Sequence, residues 1–170
     1  MDADSVMQPD SKTDHPTHTN QVAGLDDTDL RILRELQRDA RASFKTVAQK
    51  VGVSEATIFV RVRKMHERGV IKGFITLVAP AAVGKPLTAI VLVRANPKAY
   101  SGMLDELRKF DDIYEIYDVT GQYYSILKIR TSGTEELGKI MDEVGKIDGV
   151  SGTETIIVLR TVKEEITVRI

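Results

Sequence analysis

The hydrophobic period changes once along this chain, and that change leaves few folds open to it. Between residues 25 and 69, apolar residues recur at helical spacing; beyond Gly69 they gather into short β-branched and aromatic runs separated by further helical stretches. The first stretch reads as three helices. Asp26 stands as an N-cap with Asp29 three residues on, a variant of the capping box, before Leu30, Ile32, Leu33 and Leu36; Asp39 and Ala40 close the helix. Ser43 caps a second helix with Phe44, Val47, Ala48 and Val51 on one face, and Gly52 supplies the turn after it. Ser54 caps a third, striped by Ile58, Val62 and Met65 and ended by Gly69. Two helices joined by a short glycine-containing turn make a helix-turn-helix.

The rest predicts an α+β unit. Residues 70–72 and 74–78 read as short strands, and residues 80–86, with a proline at each end and Gly84 inside, read as a hinge. Strands follow at 87–93, 113–119, 123–130 and 152–159. Helices intervene, striped by Tyr100, Met103, Leu104 and Leu107 and by Leu137, Ile140, Met141, Val144 and Ile147. The order βαββαβ is that of a ferredoxin-like sandwich, and the alternation of Ile166, Val168 and Ile170 suggests a last edge strand. The expected division is therefore a tail at 1–24, a winged helix-turn-helix domain at 25–79, a hinge at 80–86 and a sheet domain at 87–170. In such a sandwich both helices cover one sheet face. The strands at 87–93 and 152–159 are apolar on both faces, so the open face is expected to pair with a second copy. The alternative is that the linker covers it.

The formal charge of -1 hides a split. Residues 1–24 carry -3, residues 25–80 carry +4 and residues 81–170 carry -2, so the basic excess belongs to the helices. The tail is too polar to offset its ordering entropy and is expected to be disordered; its His15 and His18 read as solvated residues, not a metal pair. With no cysteine, a disulfide scaffold, a Cys-ligated zinc and a thiol nucleophile are excluded. There is no apolar run of membrane-spanning length, no signal-peptide pattern and no phosphate-binding glycine loop. A cytoplasmic protein with no cofactor and no metal is expected.

The third helix carries the chemistry of a nucleic-acid contact. Aimed into a major groove, it presents Ser54, Glu55, Thr57, Phe59 and Val60 near base edges, with Arg61, Arg63, Lys64 and Arg68 towards phosphates. Thr57 can bond a base or a phosphate. Phe59 and Val60 read either as contacts to a thymine methyl or as packing against neighbouring elements.

Several stretches resemble the Lrp/AsnC family, the feast/famine regulators: Leu25-Asp26-Asp27-Thr28-Asp29-Leu30-Arg31-Ile32-Leu33, Asp39-Ala40-Arg41, Val53-Ser54-Glu55-Ala56-Thr57, Arg61-Val62-Arg63-Lys64-Met65 and Gly69-Val70-Ile71-Lys72-Gly73-Phe74. The resemblance spans about residues 25–168. It implies a transcriptional regulator that binds double-stranded DNA, forms dimers and often tetramers or octamers through its second domain, and is often tuned by an amino acid. The family's effector region corresponds here to Thr120, Gly121, Gln122, Tyr123, Tyr124 and Ser125 in the turn between the second and third strands, with Thr153, Glu154 and Thr155 on the fourth. Many members carry acids where this chain has Gln122 and Tyr124; its turn is closer to the asparagine-responsive branch, and Asp118 or Glu154 is left to meet an ammonium. Gly121 permits close backbone approach to a carboxylate, while the threonines read equally as ordinary strand residues. An architectural DNA binder without an effector is the alternative. Siroheme decarboxylases share the architecture, but His15, His18 and His66 all lie outside the sheet domain, so no catalytic residue is expected.

Overall fold

A computed structural model describes residues 24–170; the tail, with His15 and His18, lies outside the described residues. The chain divides into two compact units, one reaching Phe74 and including Thr167–Ile170, the other spanning Ile75–Ile166. The expected hinge at 80–86 belongs to the second unit. Pro80–Val83 forms a 3-10 turn, and Lys85 Nζ reaches Asp112 at 2.6 Å and Glu136 at 3.3 Å.

The first unit is three helices: α1 (Asp27–Arg38), α2 (Phe44–Val51) and α3 (Glu55–Glu67). Each starts where a side chain satisfies an orphan amide. Asp26 accepts from the Asp29 amide at 2.8 Å, and Asp29 reaches back to the Asp26 amide at 3.2 Å. Ser43 and Ser54 accept from the amides three residues on, each at 3.1 Å. Gly52 ends α2 at φ 79°, a left-handed conformation that favours glycine. Ile32, Leu36, Val47, Val51, Ile58, Val62 and Met65 form the core between the helices.

The second unit is a four-stranded antiparallel sheet with two helices. Its elements are β1 (Leu87–Ala95), α4 (Tyr100–Leu107), β2 (Ile113–Asp118), β3 (Ser125–Thr131), α5 (Thr134–Lys146) and β4 (Val150–Ile157), with strand order β2-β3-β1-β4. This is the ferredoxin-like α+β arrangement. Val91 lies opposite Leu127 on one side and Thr155 on the other. Ala89, Val91, Val93, Leu127 and Ile129 pack beneath Met103, Leu107, Leu137, Ile140 and Val144.

Three expected strands are not formed among the described residues. At 70–72, the amides of Val70 and Ile71 bond the Met65 carbonyl at 2.8 and 3.2 Å, so these residues close α3 and the wing does not form. Residues 74–78 and 166–170 have strand composition but no ladder partner in the described residues, and a strand without a partner leaves its backbone to water. Phe74, Ile75, Leu77 and Val78 are exposed, Ile75 by 70%.

The open sheet face is less apolar than β1 and β4 alone suggest. Register puts Ile90, Leu92, Ile126 and Ile156 on it, but also Lys128, Arg130, Glu115 and Glu154. One end is covered by the chain itself, though not by the linker. Residues 158–164 lie over Thr88, Ile90, Lys128 and Arg130, held by Val158 N–H to the Thr88 carbonyl at 2.9 Å.

Candidate nucleic-acid interface and small-molecule site

On α3 the buried stripe of Ile58, Val62 and Met65 turns the remaining positions outward. Glu55, Phe59, Val60, Arg63, Lys64 and Arg68 are exposed, while Thr57 is half-buried. Phe59 packs against a neighbour and is still largely exposed. Its ring meets Phe44 edge-on with centroids 6.3 Å apart, yet 54% of the residue stays exposed. Val60 is 49% exposed. Ser54 Oγ and Thr57 Oγ1 lie 2.8 Å apart, so the cap and the first helical turn share one hydroxyl pair.

The basic residues divide. Arg61 is turned towards α1, where Nη1 meets Asp26 at 2.6 Å and Asp29 at 2.9 Å. Hydrogen bonds to Asp29 and then Asp26 raise the guanidinium pKa further. The Asp26 carboxyl is held low, first by the Asp29 amide and then by Arg61. Arg61 thus joins the recognition helix to the capping box of α1. Arg63 projects outward and pairs with Glu67 at 2.8 Å, both well exposed. Arg68 donates to the Gly24 carbonyl at 3.2 Å. A cleft of about 570 Å³ runs along this side of α3, lined by Thr57, Val60, Arg61 and Lys64 with Asp29 at its wall.

In the second unit the residues around the β2–β3 turn separate onto two faces. Directly paired residues of an antiparallel sheet share a face. Asp118 pairs Ser125, Ser125 pairs Val93, and Val93 pairs Thr153, so these four form one row on the helix side; Thr155 lies two positions along, beside Val91. Tyr100, at the start of α4, reaches this row. Its hydroxyl donates to the Tyr124 carbonyl at 3.0 Å and lies 3.2 Å from Ser125 Oγ. Burial pushes the Tyr100 pKa up, Ser125 opposes the shift, and the nearby Asp118 adds to it. The Tyr100 and Tyr124 rings lie 5.4 Å apart.

Glu154 belongs to the other face, paired with Leu92. There the Tyr123 hydroxyl donates to the Glu154 carboxylate, and the Arg94 guanidinium sits 5.2 Å from the Tyr123 ring centre. Glu154 is therefore engaged away from the threonines. The turn itself exposes Thr120, Gly121 and Gln122, with Gly121 at φ 122°. Arg94, Tyr100 and Ser125 join the region from β1, α4 and β3. Sequence reasoning placed Ser125 in the turn but missed Arg94 and Tyr100, because only strand register and helix docking bring them there. Among the described residues, no group of three or more His, Asp or Glu could hold a metal ion, and no helix is long and apolar enough to cross a membrane.

Comparison with known proteins gives a consistent result. The AsnC-type helix-turn-helix domain matches residues 25–66, and the Lrp/AsnC ligand binding domain matches residues 88–168. The HTH-type transcriptional regulator FL11 of Pyrococcus horikoshii is 41% identical over 140 residues, covering 82% of this chain and 93% of the relative. The HTH-type transcriptional regulator Ptr1 of Methanocaldococcus jannaschii is 35% identical over 141 residues, covering 82% and 95%. The structure of E. coli AsnC superposes with a TM-score of 0.78 at 31% identity, covering 83% of this chain and 96% of that one. A transcriptional regulator from Neisseria meningitidis, solved as a complex with L-Met, has the same fold at a TM-score of 0.79 and 21% identity, covering 85% and 96%.

Proposed function

The chain belongs to the Lrp/AsnC family of transcriptional regulators, and from that premise we propose that it is a sequence-specific DNA-binding regulator whose activity or assembly responds to an amino acid or related small molecule. The relatives above carry the names of regulators, not enzymes. The exposed side of α3 enters the major groove. Glu55, Thr57, Phe59 and Val60 face base edges, Arg63, Lys64 and Arg68 face phosphates, and Ser54 orients the first turn. Arg61 instead sets the angle of α3 on α1.

Asp118, Ser125 and the Tyr100 hydroxyl, gathered on one sheet face beside the β2–β3 turn, carry the effector reading. Asp118 receives the ammonium, whereas Thr153 and Thr155, on the same face but on the opposite edge strand, lie out of its reach. The turn from Thr120 to Tyr124, with Gly121 at its tip, takes the carboxylate through backbone amides. Tyr100 and Tyr124 form the apolar wall. Glu154 and Tyr123, on the opposite face, stand outside the pocket. The open-face residues Leu92, Ile126, Ile156 and Tyr117 pair with a second copy, giving a dimer that reads a pseudo-palindrome.

A thermal-shift screen of free amino acids tests the effector. A ligand of the folded state at a hundredfold excess over its dissociation constant adds about 2.7 kcal/mol of stability. A single responsive amino acid, silent in Asp118→Asn, is expected. A flat response across the set refutes the effector, and equal affinity for random and promoter DNA refutes sequence specificity.

A further inference from the structure

The cavity beneath residues 158–164 belongs neither to α3 nor to the β2–β3 turn. It measures about 470 Å³ and lies on the open sheet face, lined by Thr88 of β1, Lys128 and Arg130 of β3, and Arg160, Lys163 and Glu164 of the overlying segment. The lining carries four cations and one carboxylate, and two of the cations have further partners, Lys128 with Glu115 at 3.3 Å and Lys163 with Glu165 at 3.1 Å. The lining carboxylate is bound in an unusual way. The same Glu164 oxygen meets both Lys128 Nζ and Arg130 Nη2, the latter at 3.0 Å. The Nε of Arg130 is buried and has no hydrogen-bond partner among the described residues. A guanidinium binds a carboxylate best through two parallel N–H donors. Here only one arm of the fork is used, and a buried donor left unmade carries a desolvation penalty. Tyr114 fixes the guanidinium from the side, with Arg130 Cζ 5.6 Å from its ring centre. The fork is held in place, yet Glu164 does not fill it.

The segment that supplies Glu164 is loosely fastened. It has no helix or strand, and Leu159 and Val162 point to solvent, 95% and 87% exposed. The Glu164 carboxyl is held below the ordinary carboxylate range, chiefly by its bond to Lys128. A tethered acid that occupies half of a two-cation site behaves as an internal competitor.

We propose that this cavity is a second ligand site, distinct from the amino-acid site, that takes a small dicarboxylate. One ligand carboxylate seats on both Nε and Nη2 of Arg130 and on Lys128, displacing Glu164. The second faces Arg160 and Lys163, and Thr88 offers a hydroxyl between them. Displacing Glu164 releases the segment beyond Val158, whose amide stays on the Thr88 carbonyl, so the ligand uncovers more of the open face on which a second copy docks. This last consequence rests on the dimer reading above; binding itself does not.

Calorimetric titration of the full chain with succinate, in a buffer free of carboxylates, tests the site. One succinate per chain is expected, with affinity lowered about tenfold or more in Arg130→Gln and in Arg130→Lys, which keeps the charge and loses the fork. Glu164→Gln removes the competitor's charge and is expected to tighten binding severalfold. Asp118→Asn, which disables the amino-acid site, leaves succinate affinity unchanged, so the two sites fail separately. Glu164→Gln keeps the cationic fork intact, and it serves as the deciding variant if Arg130→Gln is destabilised. No heat with succinate in either the parent or Glu164→Gln overturns the proposal. So does binding that survives Arg130→Gln, or equal binding of the uncharged succinamide.

Discussion

Replacing Arg61 and Arg63 separately by alanine distinguishes a residue that shapes the recognition helix from one that meets the nucleic acid. The two lie two positions apart on α3, carry the same charge and are indistinguishable by residue type. In the folded unit Arg61 is 31% exposed and bonded to Asp26 and Asp29, the latter 12% exposed. Arg63 is 68% exposed and holds only Glu67. An exposed pair such as Arg63–Glu67 is weak, so a phosphate displaces Glu67 readily. Arg63→Ala is therefore expected to leave thermal stability unchanged and to reduce the slope of log K against log salt by about 1. For Arg61, a charge-assisted bond to the half-sheltered Asp29, discounted for partial solvent screening, is worth about 1 kcal/mol. In a domain of this size that lowers the unfolding midpoint by roughly 4–8 °C. Arg61→Ala is expected to weaken DNA binding by tilting α3 while the salt slope stays that of the parent. The assays are fluorescence anisotropy over a salt series and a thermal melt of each variant. An Arg61→Ala protein with parental stability and a slope reduced by about 1 would refute the division, as would an Arg63→Ala protein with the parental slope.

Acid unfolding should begin as the pH falls below the ordinary carboxylate values of 4.5 for Glu and 3.8 for Asp. The folded chain holds Glu35 low through Lys50, Glu136 low through the Ser132 amide and Asp26 low through the Asp29 amide. Stabilisation by such groups is fully present above their unfolded pKa and is lost as the pH falls through the depressed folded values. A melt series from neutral to acid pH reads this, and a flat midpoint through that range contradicts it. Gly149→Ala should destabilise the sheet unit by about 1–3 kcal/mol. Gly149 has φ 95°, and an added Cβ would stand 2.9 Å from the Ala99 Cβ and 3.1 Å from the Ala99 carbonyl oxygen. Chemical denaturation measures the loss, and parental stability would show that the α4 entrance yields freely. Ile32→Ala empties a fully buried position between the three helices and should cost about 2–5 kcal/mol by the same measurement.

Local signals carried the helical unit almost intact. Asp26, Ser43 and Ser54 mark helix starts because a cap is a contact between residues three apart, and such contacts are visible in any linear reading. The order of strands and helices was legible for the same reason, since period is a local property. Pairing is not local. Residues 74–78 have strand composition, but a strand exists only with a partner, and the described chain provides none. Residues 70–72 also looked like a strand, and the Met65 carbonyl captured their amides.

The sites divide along that line. The sequence alone determined which side of α3 is apolar, and hence which residues are left to face a groove, because 3.6-residue spacing leaves no other choice. It also determined that β4 carries threonines in alternation. Only the tertiary structure decided that Arg61 looks inward, since Asp26 and Asp29 lie more than thirty residues away along the chain. Register alone set Asp118 beside Ser125, put Thr153 on the same face at the far edge of the sheet, and sent Glu154 to the opposite face. The half-used fork of Arg130 depends on a residue thirty-four positions further on. Period and caps are written in neighbouring residues, whereas a charge acquires its partner, and so its role, only when distant segments close on one another.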